Sequence, residues 1–261
     1  MGMHVNTSCI NCDRAVSVAD QKYCPGCGQP TPAHRIDWHF LGHELEHSVL
    51  HMDRGILYSL KNVMLRPGQL LRDYIEGRRG NQVKPLLLIT MMAAAVVLLN
   101  RLITGGSMMD SGVSEALVAG QTMPAELLRF LAASRSVSAW IDSHFAAFTL
   151  MLLPIEALVF WQVFRRYSQL NYPEWLVMTT LLTVQVFVIW SVLVLLYRWL
   201  SQAQLVAALL GMIYNAFSLV HFFQDRPVWS TLWRTAVALA VFSLISSAAV
   251  MAAALVVMRV A

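Results

Sequence analysis

The sequence predicts a mainly α-helical membrane protein, in which a small cysteine-bearing ribbon and amphipathic interfacial helices precede about five transmembrane helices. The chain of 261 residues is 57% hydrophobic and only 13% charged, a balance too apolar for a soluble domain of this size. Ten of its nineteen Lys and Arg residues lie before residue 85, and all four cysteines lie within the first 27 residues. We therefore expect three parts, at residues 1–34, 35–84 and 85–261.

The first part carries two pairs of cysteines in the pattern C-x2-C-x11-C-x2-C. Four thiolates at this spacing can close a tetrahedral shell around zinc, and Gly26 and Gly28 provide the conformational freedom that such a turn needs. A closed shell has no open position for chemistry, so we expect one structural zinc per chain. A redox dithiol pair is less favoured, since nothing near the motif resembles a thioredoxin-type strand and helix. The predicted metal ligands of this zinc ribbon are Cys9, Cys12, Cys24 and Cys27.

The surroundings of the cysteines indicate a compartment and exclude one class of partner. Free thiols are typical of a reducing environment, and the first 35 residues contain no apolar segment of a secretion signal. We therefore place the ribbon in the cytoplasm. Nucleic acid is not an expected partner, because Arg14 and Lys22 are balanced by Asp13 and Asp20, which leaves no basic surface for phosphates.

Residues 39–51, HFLGHELEHSVLH, place a histidine at every fourth position. On a helical wheel these histidines lie opposite an apolar stripe that runs from Trp38 to Met52. The pattern is typical of an amphipathic helix that lies on a bilayer with its histidines in water. A second metal site on the histidine face is the alternative, because histidines four residues apart can share one ion. Its ligands would be His39, His43, His47 and His51.

The same run contains the string HELEH, which fits the H-E-x-x-H pattern of zinc metalloproteases. His43 and His47 would bind zinc and Glu44 would act as general base. The extended form of the pattern fails, because Leu50 and Asp53 stand where it requires glycine and histidine. The sequence therefore favours a solvated face, and a zinc hydrolase stays an alternative.

A basic collar follows, and it predicts two short helices before the first span. Asp53 is a plausible N-cap for one, and Pro67 and Gly77 mark the first turn and the end of the other. Basic side chains beside a bilayer attract anionic headgroups, with about 1 kcal/mol for each charge. Alternatively, these charges could act only to set the orientation of the first span in the membrane. The residues expected to bind lipid headgroups are Arg66, Arg72, Arg78, Arg79 and Lys84.

Five later segments are long and apolar enough to cross a bilayer. A cytoplasmic N-terminus leaves fourteen Lys and Arg residues inside and five outside, in agreement with the positive-inside rule, and it places the C-terminus outside. The stretch at 104–144 is then an outside loop with weak helical patterns near 113–119 and from Pro124. The predicted spans are residues 86–103, 145–164, 175–198, 205–223 and 236–258.

The strings YCPGCGQ and DRGILYSLKNVMLRPGQLLRDYIEGRRGNQVKP resemble a bacterial membrane family known as domain of unknown function 3667. The resemblance covers about residues 9–90 and implies a zinc ribbon, a location in the bacterial inner membrane and no known reaction. The layout of five spans after a cytoplasmic N-terminus is also similar to that of the Yip1-type proteins of trafficking, an analogy of fold alone. The residues that carry the family pattern are Asp53, Gly55, Arg66, Pro67, Gly68, Tyr74, Gly77, Arg79 and Pro85.

One ionisable residue, Glu156, falls near the middle of the second predicted span. A charge at that depth costs several kcal/mol unless it is neutral, paired or hydrated, so Glu156 is a candidate for transport or proton relay. The alternative is a neutral carboxyl that joins packed helices. The polar residues considered as its partners are Gln185, Tyr214, Asn215 and His221.

These observations favour a scaffold or accessory protein of the membrane, without an enzymatic activity. In this hypothesis the ribbon docks a cytoplasmic or membrane protein, and the collar seats the chain on anionic phospholipids of the bilayer. The second hypothesis is a transporter or lipid-handling protein centred on Glu156, and the third is the zinc hydrolase. Association with a second copy of the chain is a further alternative.

Overall fold

A computed structural model of the protein describes residues 8–16, 22–47, 55–80, 82–105, 124–196 and 203–260. Within these ranges the chain is almost entirely α-helical, with two isolated β-bridges in the cysteine region and no β-strand. The predicted fold class is therefore confirmed. The helices are α1 (Trp38–His47), α2 (Ile56–Leu65), α3 (Pro67–Ile75), α4 (Pro85–Thr104), α5 (Ala125–Ser143), α6 (Phe145–Phe164), α7 (Tyr172–Leu195), α8 (Ala203–Phe222) and α9 (Val228–Val260).

Five of these helices are long and apolar enough to span a bilayer, so the chain is a multi-pass membrane protein. They are α4, α6, α7, α8 and α9. The third span begins at Tyr172, earlier than the predicted residue 175, because Asn171 caps it. The Asn171 side chain accepts a hydrogen bond from the Glu174 backbone, and the Glu174 carboxylate accepts one from the Asn171 backbone. This reciprocal capping box fixes the helix start.

The last helix, α9, also begins earlier than the hydropathy pattern predicts. Its first turns contain Arg234, whose guanidinium donates a 2.6 Å hydrogen bond to Ser230 on the same helix. The same guanidinium lies 4.5 Å from the centre of the Tyr167 ring. The charge therefore has partners within the helix and on a neighbouring aromatic face, so Arg234 does not end the helix.

The weak pattern that starts at Pro124 is a helix of 19 residues, α5. It packs on α9 through a small cluster that includes Val137, Ile141 and Ala254. Helix α9 has 33 residues and is about 50 Å long, which exceeds the ~30 Å hydrocarbon core of a bilayer. Its C-terminal part thus provides a surface for α5. The other weak pattern, near 113–119, lies outside the described residues.

The end of α2 lies deep among the spans. The backbone carbonyl of Val63 accepts a 3.1 Å hydrogen bond from Gln185, and the carbonyl of Met64 accepts one from Tyr214. These carbonyls belong to the last turn of α2, where a helix cannot satisfy them itself. Gln185 lies thirteen residues after Tyr172, the start of α7, which corresponds to about 20 Å along that helix. Side chains from the interior of α7 and α8 thus cap the C-terminal end of α2, far from the start of α7.

Helix α3 returns from this point and is largely buried against α8. Arg72 donates hydrogen bonds to the backbone carbonyls of His221 and Phe222, the last residues of α8. A cation at the C-terminal end of a helix is favourable, because the free carbonyls there carry partial negative charge. Helix α3 ends as predicted, since Gly77 adopts a φ of 97° directly after it.

Replacing Gly68 by alanine is expected to destabilise the protein by about 1–3 kcal/mol. A Cβ atom at Gly68 would lie 2.6 Å from the backbone oxygen of His221, so α3 and α8 would have to move apart. The melting temperature of the full chain in mild detergent measures the effect.

The matched control is Gly42→Ala in α1, where an added Cβ meets nothing within 4 Å. Alanine favours a helix over glycine by about 1 kcal/mol, so this variant is expected to be neutral or slightly stabilised. A Gly68→Ala variant with an unchanged melting temperature would contradict the close packing of α3 on α8.

Candidate metal centre and intramembrane polar site

The four cysteines converge on one point. Their Sγ atoms all lie within 4.8 Å of one another. The Sγ atoms of Cys9 and Cys27 are 3.6 Å apart, as are those of Cys12 and Cys24. A tetrahedral zinc site with bonds of about 2.3 Å to sulfur has edges of about 3.8 Å, which these separations match. The cluster can therefore hold a metal ion, with all four positions supplied by thiolates.

The two cysteine pairs sit in turns of the same design. In the first turn the Asp13 backbone N–H donates to the Cys9 carbonyl at 2.9 Å, and in the second the Gly28 N–H donates to the Cys24 carbonyl at 2.9 Å. Asp13 and Gly28 take left-handed conformations, with φ of 57° and 72°. Gly28 thus has the expected role, and the equivalent Asp13 escaped sequence reasoning because it is not a glycine, although Asp tolerates this conformation.

Gly26 serves a different purpose from the one expected. Its φ is not in the left-handed region, and its backbone N–H donates a 3.4 Å hydrogen bond to the Cys24 sulfur. A Cβ atom on Gly26 would lie 3.1 Å from the Arg14 side chain. Gly26 therefore allows the two turns to approach each other, and its backbone donates a hydrogen bond to one sulfur.

The thiols differ in acidity in the absence of a cation. Burial raises the pKa of Cys24, but hydrogen bonds from the backbone of Gly26 and Cys27 outweigh it and lower this pKa to about 6. The Arg14 backbone lowers the pKa of Cys12, but the Cys27 thiol and burial raise it to about 12. A divalent cation overcomes this difference in acidity, because it stabilises all four thiolates together.

The ribbon is fastened to the loop that precedes the first span. Gln29 is only 3% exposed. Its side-chain amide donates to the Gly77 carbonyl at 2.9 Å and accepts from the Arg79 backbone at 3.0 Å. A Cβ atom on Gly80 would lie 2.8 Å from Asn11, so the same loop also passes close to the first turn. Sequence reasoning missed Gln29, since its partners lie about fifty residues away.

Replacing Gln29 by leucine is expected to destabilise the attachment of the ribbon by about 1–3 kcal/mol, because two buried backbone groups lose their partners. Trypsin, which cleaves after Arg78 and Arg79, should then cut the loop about tenfold faster. Gln169→Leu is the control, since the Gln169 side chain is exposed. Equal cleavage rates in the Gln29 variant and the wild type would show that the contact contributes nothing.

A second attachment joins the segment after the ribbon to the start of α7. Arg35 donates two hydrogen bonds to the Glu174 carboxylate, at 2.6 and 2.9 Å. Glu174 is 2% exposed, whereas the Arg35 side chain is 62% exposed. The Asn171 side chain also donates to the Ile36 carbonyl at 2.9 Å. The capping box of α7 therefore also holds the N-terminal part of the chain.

Several residues of the basic collar have partners within the protein. Arg78 forms ion pairs with Asp73 at 3.4 Å and with Glu76 at 3.2 Å. Arg72 caps α8. Arg79 donates a 2.8 Å hydrogen bond to the Tyr74 carbonyl and stacks 4.3 Å from the Phe40 ring centre. Headgroup binding stays a prediction for all five collar residues.

The histidine run is described only in part. Helix α1 forms as predicted, with Asp37 accepting a 2.8 Å hydrogen bond from the Phe40 backbone. Leu41 is buried, and Trp38 is exposed but contacts the Tyr172 ring. His39 is exposed. The side chains of residues 43–47, and residues 48–54 altogether, lie outside the described residues, so the metal-binding and HELEH predictions stay predictions.

Glu156 is 7% exposed and faces a cavity of about 260 Å³ among four spans. Its carboxyl accepts a 3.2 Å hydrogen bond from Thr183. Asn215 lines the same cavity, whereas Gln185 and Tyr214 bond to α2. His221 lies at the end of α8, where its Nδ1 is 2.9 Å from the Phe217 carbonyl.

Thr183 escaped sequence reasoning because threonines in helices commonly bond to the carbonyl four residues earlier. Thr183 makes such a bond with Thr179, at 2.9 Å, as well as the one with Glu156. The sequence does not distinguish a threonine that makes only the local hydrogen bond from one that also donates to a neighbouring helix.

Comparison with known proteins gives one match. Residues 53–96 match the model of a family described as "Protein of unknown function (DUF3667)". No curated protein and no solved structure matches the chain. The matched segment contains α2, α3, the loop that holds Gln29 and the first half of α4, so it coincides with the part that joins the ribbon to the spans.

Proposed function

We propose that the protein is a non-enzymatic scaffold or accessory protein of the bacterial inner membrane, whose zinc ribbon docks a cytoplasmic protein partner. The observation that carries the proposal is the closed set of four thiolates on a ribbon fastened to the base of the bundle. A shell with four protein ligands has no site for a substrate or an activated water. The metal then stabilises the fold of the ribbon and so the surface that docks the partner.

The fastening of the ribbon supports a docking role. Gln29 and Asn11 face the loop at residues 77–80, so this side of the ribbon is covered. Arg14 and Tyr23 of the ribbon are exposed, the latter by 62%. An exposed aromatic on a rigid support is typical of protein interfaces. The nearly balanced charge of the ribbon favours a protein over a nucleic acid.

The orientation with the ribbon in the cytoplasm is supported by charge. The short connection between α6 and α7 contains Arg165 and Arg166, both exposed, and short loops of this kind follow the positive-inside rule. Helix α2 exposes Leu57 and Leu65, as a helix in contact with lipid would. Collar charges on the cytoplasmic side would then attract anionic headgroups.

Photo-crosslinking from the ribbon tests the proposal. The photoreactive amino acid benzoylphenylalanine replaces Tyr23 in the full chain in cells, and the control places it at Tyr58, which is also exposed but lies on α2. We expect one protein to be crosslinked from position 23 and not from position 58. The crosslink should disappear when Cys24 and Cys27 are replaced by serine.

Two results would contradict the docking role. One is the same set of crosslinked proteins from positions 23 and 58. The other is a crosslink from position 23 that persists after metal loss and unfolding of the ribbon. Deletion of residues 1–30 with every interaction partner unchanged would have the same meaning.

A second candidate function, the binding of a small ligand among the spans, is favoured by the cavity at Glu156. It does not depend on the ribbon, and the two functions can exist together. The chemistry of the cavity is specific enough to indicate a class of ligand.

A further inference from the structure

The cavity lies among α6, α7, α8 and α9, and its volume is about 260 Å³. This is just below the ~300–1,000 Å³ of typical small-ligand pockets. Most of its wall is apolar, and its polar groups come from all four helices. They are Thr149, Glu156, Thr183, Asn215 and Ser243.

Among the described residues that line the cavity, none is Lys, Arg or His, so Glu156 has no cationic partner among them. Its carboxyl accepts a 3.2 Å hydrogen bond from Thr183. A carboxylate buried among spans is costly unless a cation or several donors accompany it. The site therefore favours a ligand that brings a positive charge.

Asn215 adds an acceptor without a donor. The residue is 3% exposed, and its Oδ1 atom has no hydrogen-bond partner in the described part of the chain. A buried acceptor without a partner is destabilised relative to one that accepts a hydrogen bond. Because Asn215 and Glu156 line one cavity, a ligand with two or more N–H donors could satisfy both.

The apolar wall is suited to the rest of such a ligand. Four phenylalanine rings contribute to it, and aromatic faces attract cations, more strongly where water is excluded. Ala208 and Met212 line the cavity and are also exposed on α8, so the cavity reaches the outer surface of the bundle. The four rings belong to Phe145, Phe148, Phe187 and Phe242.

We propose that this cavity binds a short lipophilic primary amine in its protonated form. The ammonium group donates to the Glu156 carboxylate and to Asn215 Oδ1, and the alkyl chain lies along the phenylalanine wall. A fatty acid is disfavoured by repulsion from Glu156. An alcohol has a single donor and leaves the carboxylate without a counter-charge.

Photolabelling in lipid nanodiscs of phosphatidylcholine tests this assignment. The probe is an octylamine that carries a diazirine, and the labelled residues are identified by mass spectrometry of the full-length protein. We expect labelling on peptides that contain Met212 or Phe242. An excess of octylamine should reduce it at least tenfold, whereas equal excesses of octanol and octanoic acid should have little effect.

Variants separate the site from non-specific partition into lipid. Glu156→Gln keeps the shape of the side chain but removes the charge, and it should reduce labelling about tenfold. Asn215→Leu should reduce it by a smaller factor. The control is Ser191→Ala, which removes a buried hydroxyl of α7 outside the cavity and should label like the wild type.

The proposal is overturned if octanol competes as well as octylamine, or if Glu156→Gln is labelled like the wild type. Helical content by circular dichroism and elution as a single species report whether each variant is folded. If Glu156→Gln does not fold, Asn215→Leu decides, and undiminished labelling of that variant also overturns the proposal. Neither result bears on the crosslinks from Tyr23, so the two functions are tested separately.

Discussion

Replacing Cys24 and Cys27 by serine is expected to abolish zinc binding and to unfold the ribbon. Hydroxyl groups are poor zinc ligands, and the two remaining thiolates cannot close the shell. Structural zinc contributes about 10–16 kcal/mol to the folding of small domains. Among the described residues of the ribbon, the apolar cluster contains little beyond the cysteines and Val16. Elemental analysis of the protein purified in mild detergent should fall from one zinc per chain to less than a tenth.

The spans should survive this change, because their packing does not include the ribbon sulfurs. Helical content by circular dichroism should stay close to that of the wild type, while trypsin should cleave within residues 8–35. Ala15→Ser is the control, since Ala15 is exposed in the same ribbon and the change adds a serine without removing a ligand. Full zinc retention after loss of both cysteines would contradict the assignment of the site.

Replacing Arg35 by alanine is the second change with a large expected effect. It leaves the carboxylate of Glu174, which is 2% exposed, without its cation. Breaking a buried ion pair in this way costs about 3–5 kcal/mol, and exposure of Arg35 to water moves the expected value to about 3 kcal/mol or less. The melting temperature of the full chain in mild detergent measures the loss.

A second substitution can recover part of the stability lost in the Arg35 variant. Glu174→Gln removes the buried charge and keeps a side chain that can cap the helix. The double variant Arg35→Ala with Glu174→Gln should therefore melt at a higher temperature than Arg35→Ala alone. If the double variant is the less stable of the two, the destabilisation does not come from an uncompensated carboxylate.

Much of the architecture follows from local sequence. The metal cluster is predictable because its four ligands lie within nineteen residues and their spacing alone brings the sulfurs together. The five spans are predictable because length and hydropathy are properties of single segments. Their starts at Tyr172 and Val228 were less predictable, since capping by Asn171 and a stacked Arg234 extend them beyond the apolar core.

The polar contacts between distant segments could not be predicted. Arg35 and Glu174 are 139 positions apart, and no local pattern links them. The partners of Glu156 illustrate the limit. Thr183 and Gln185 are two residues apart on α7, which corresponds to about 200° of rotation, so only one can face Glu156. The sequence identified Gln185 because it is the more polar residue, but the packing turns Thr183 toward Glu156 and Gln185 toward α2 and Ser218.

The basic collar shows a related limit. A cluster of arginines before the first span predicts contact with lipid headgroups, because sequence proximity to a span is the available signal. Arg72 donates to backbone carbonyls at the end of α8. Arg79 donates to a backbone carbonyl and stacks on two aromatic rings. A charge that has such partners has less need of a phosphate.

X-ray absorption at the zinc edge, on the wild-type full chain in mild detergent, tests the central claim most directly. A closed ribbon site without an open position predicts one zinc per chain with four sulfur ligands at about 2.3 Å and no bound nitrogen or oxygen. A nitrogen at about 2.0–2.1 Å, or a second zinc, would bring the histidine run into the metal chemistry and would contradict the claim.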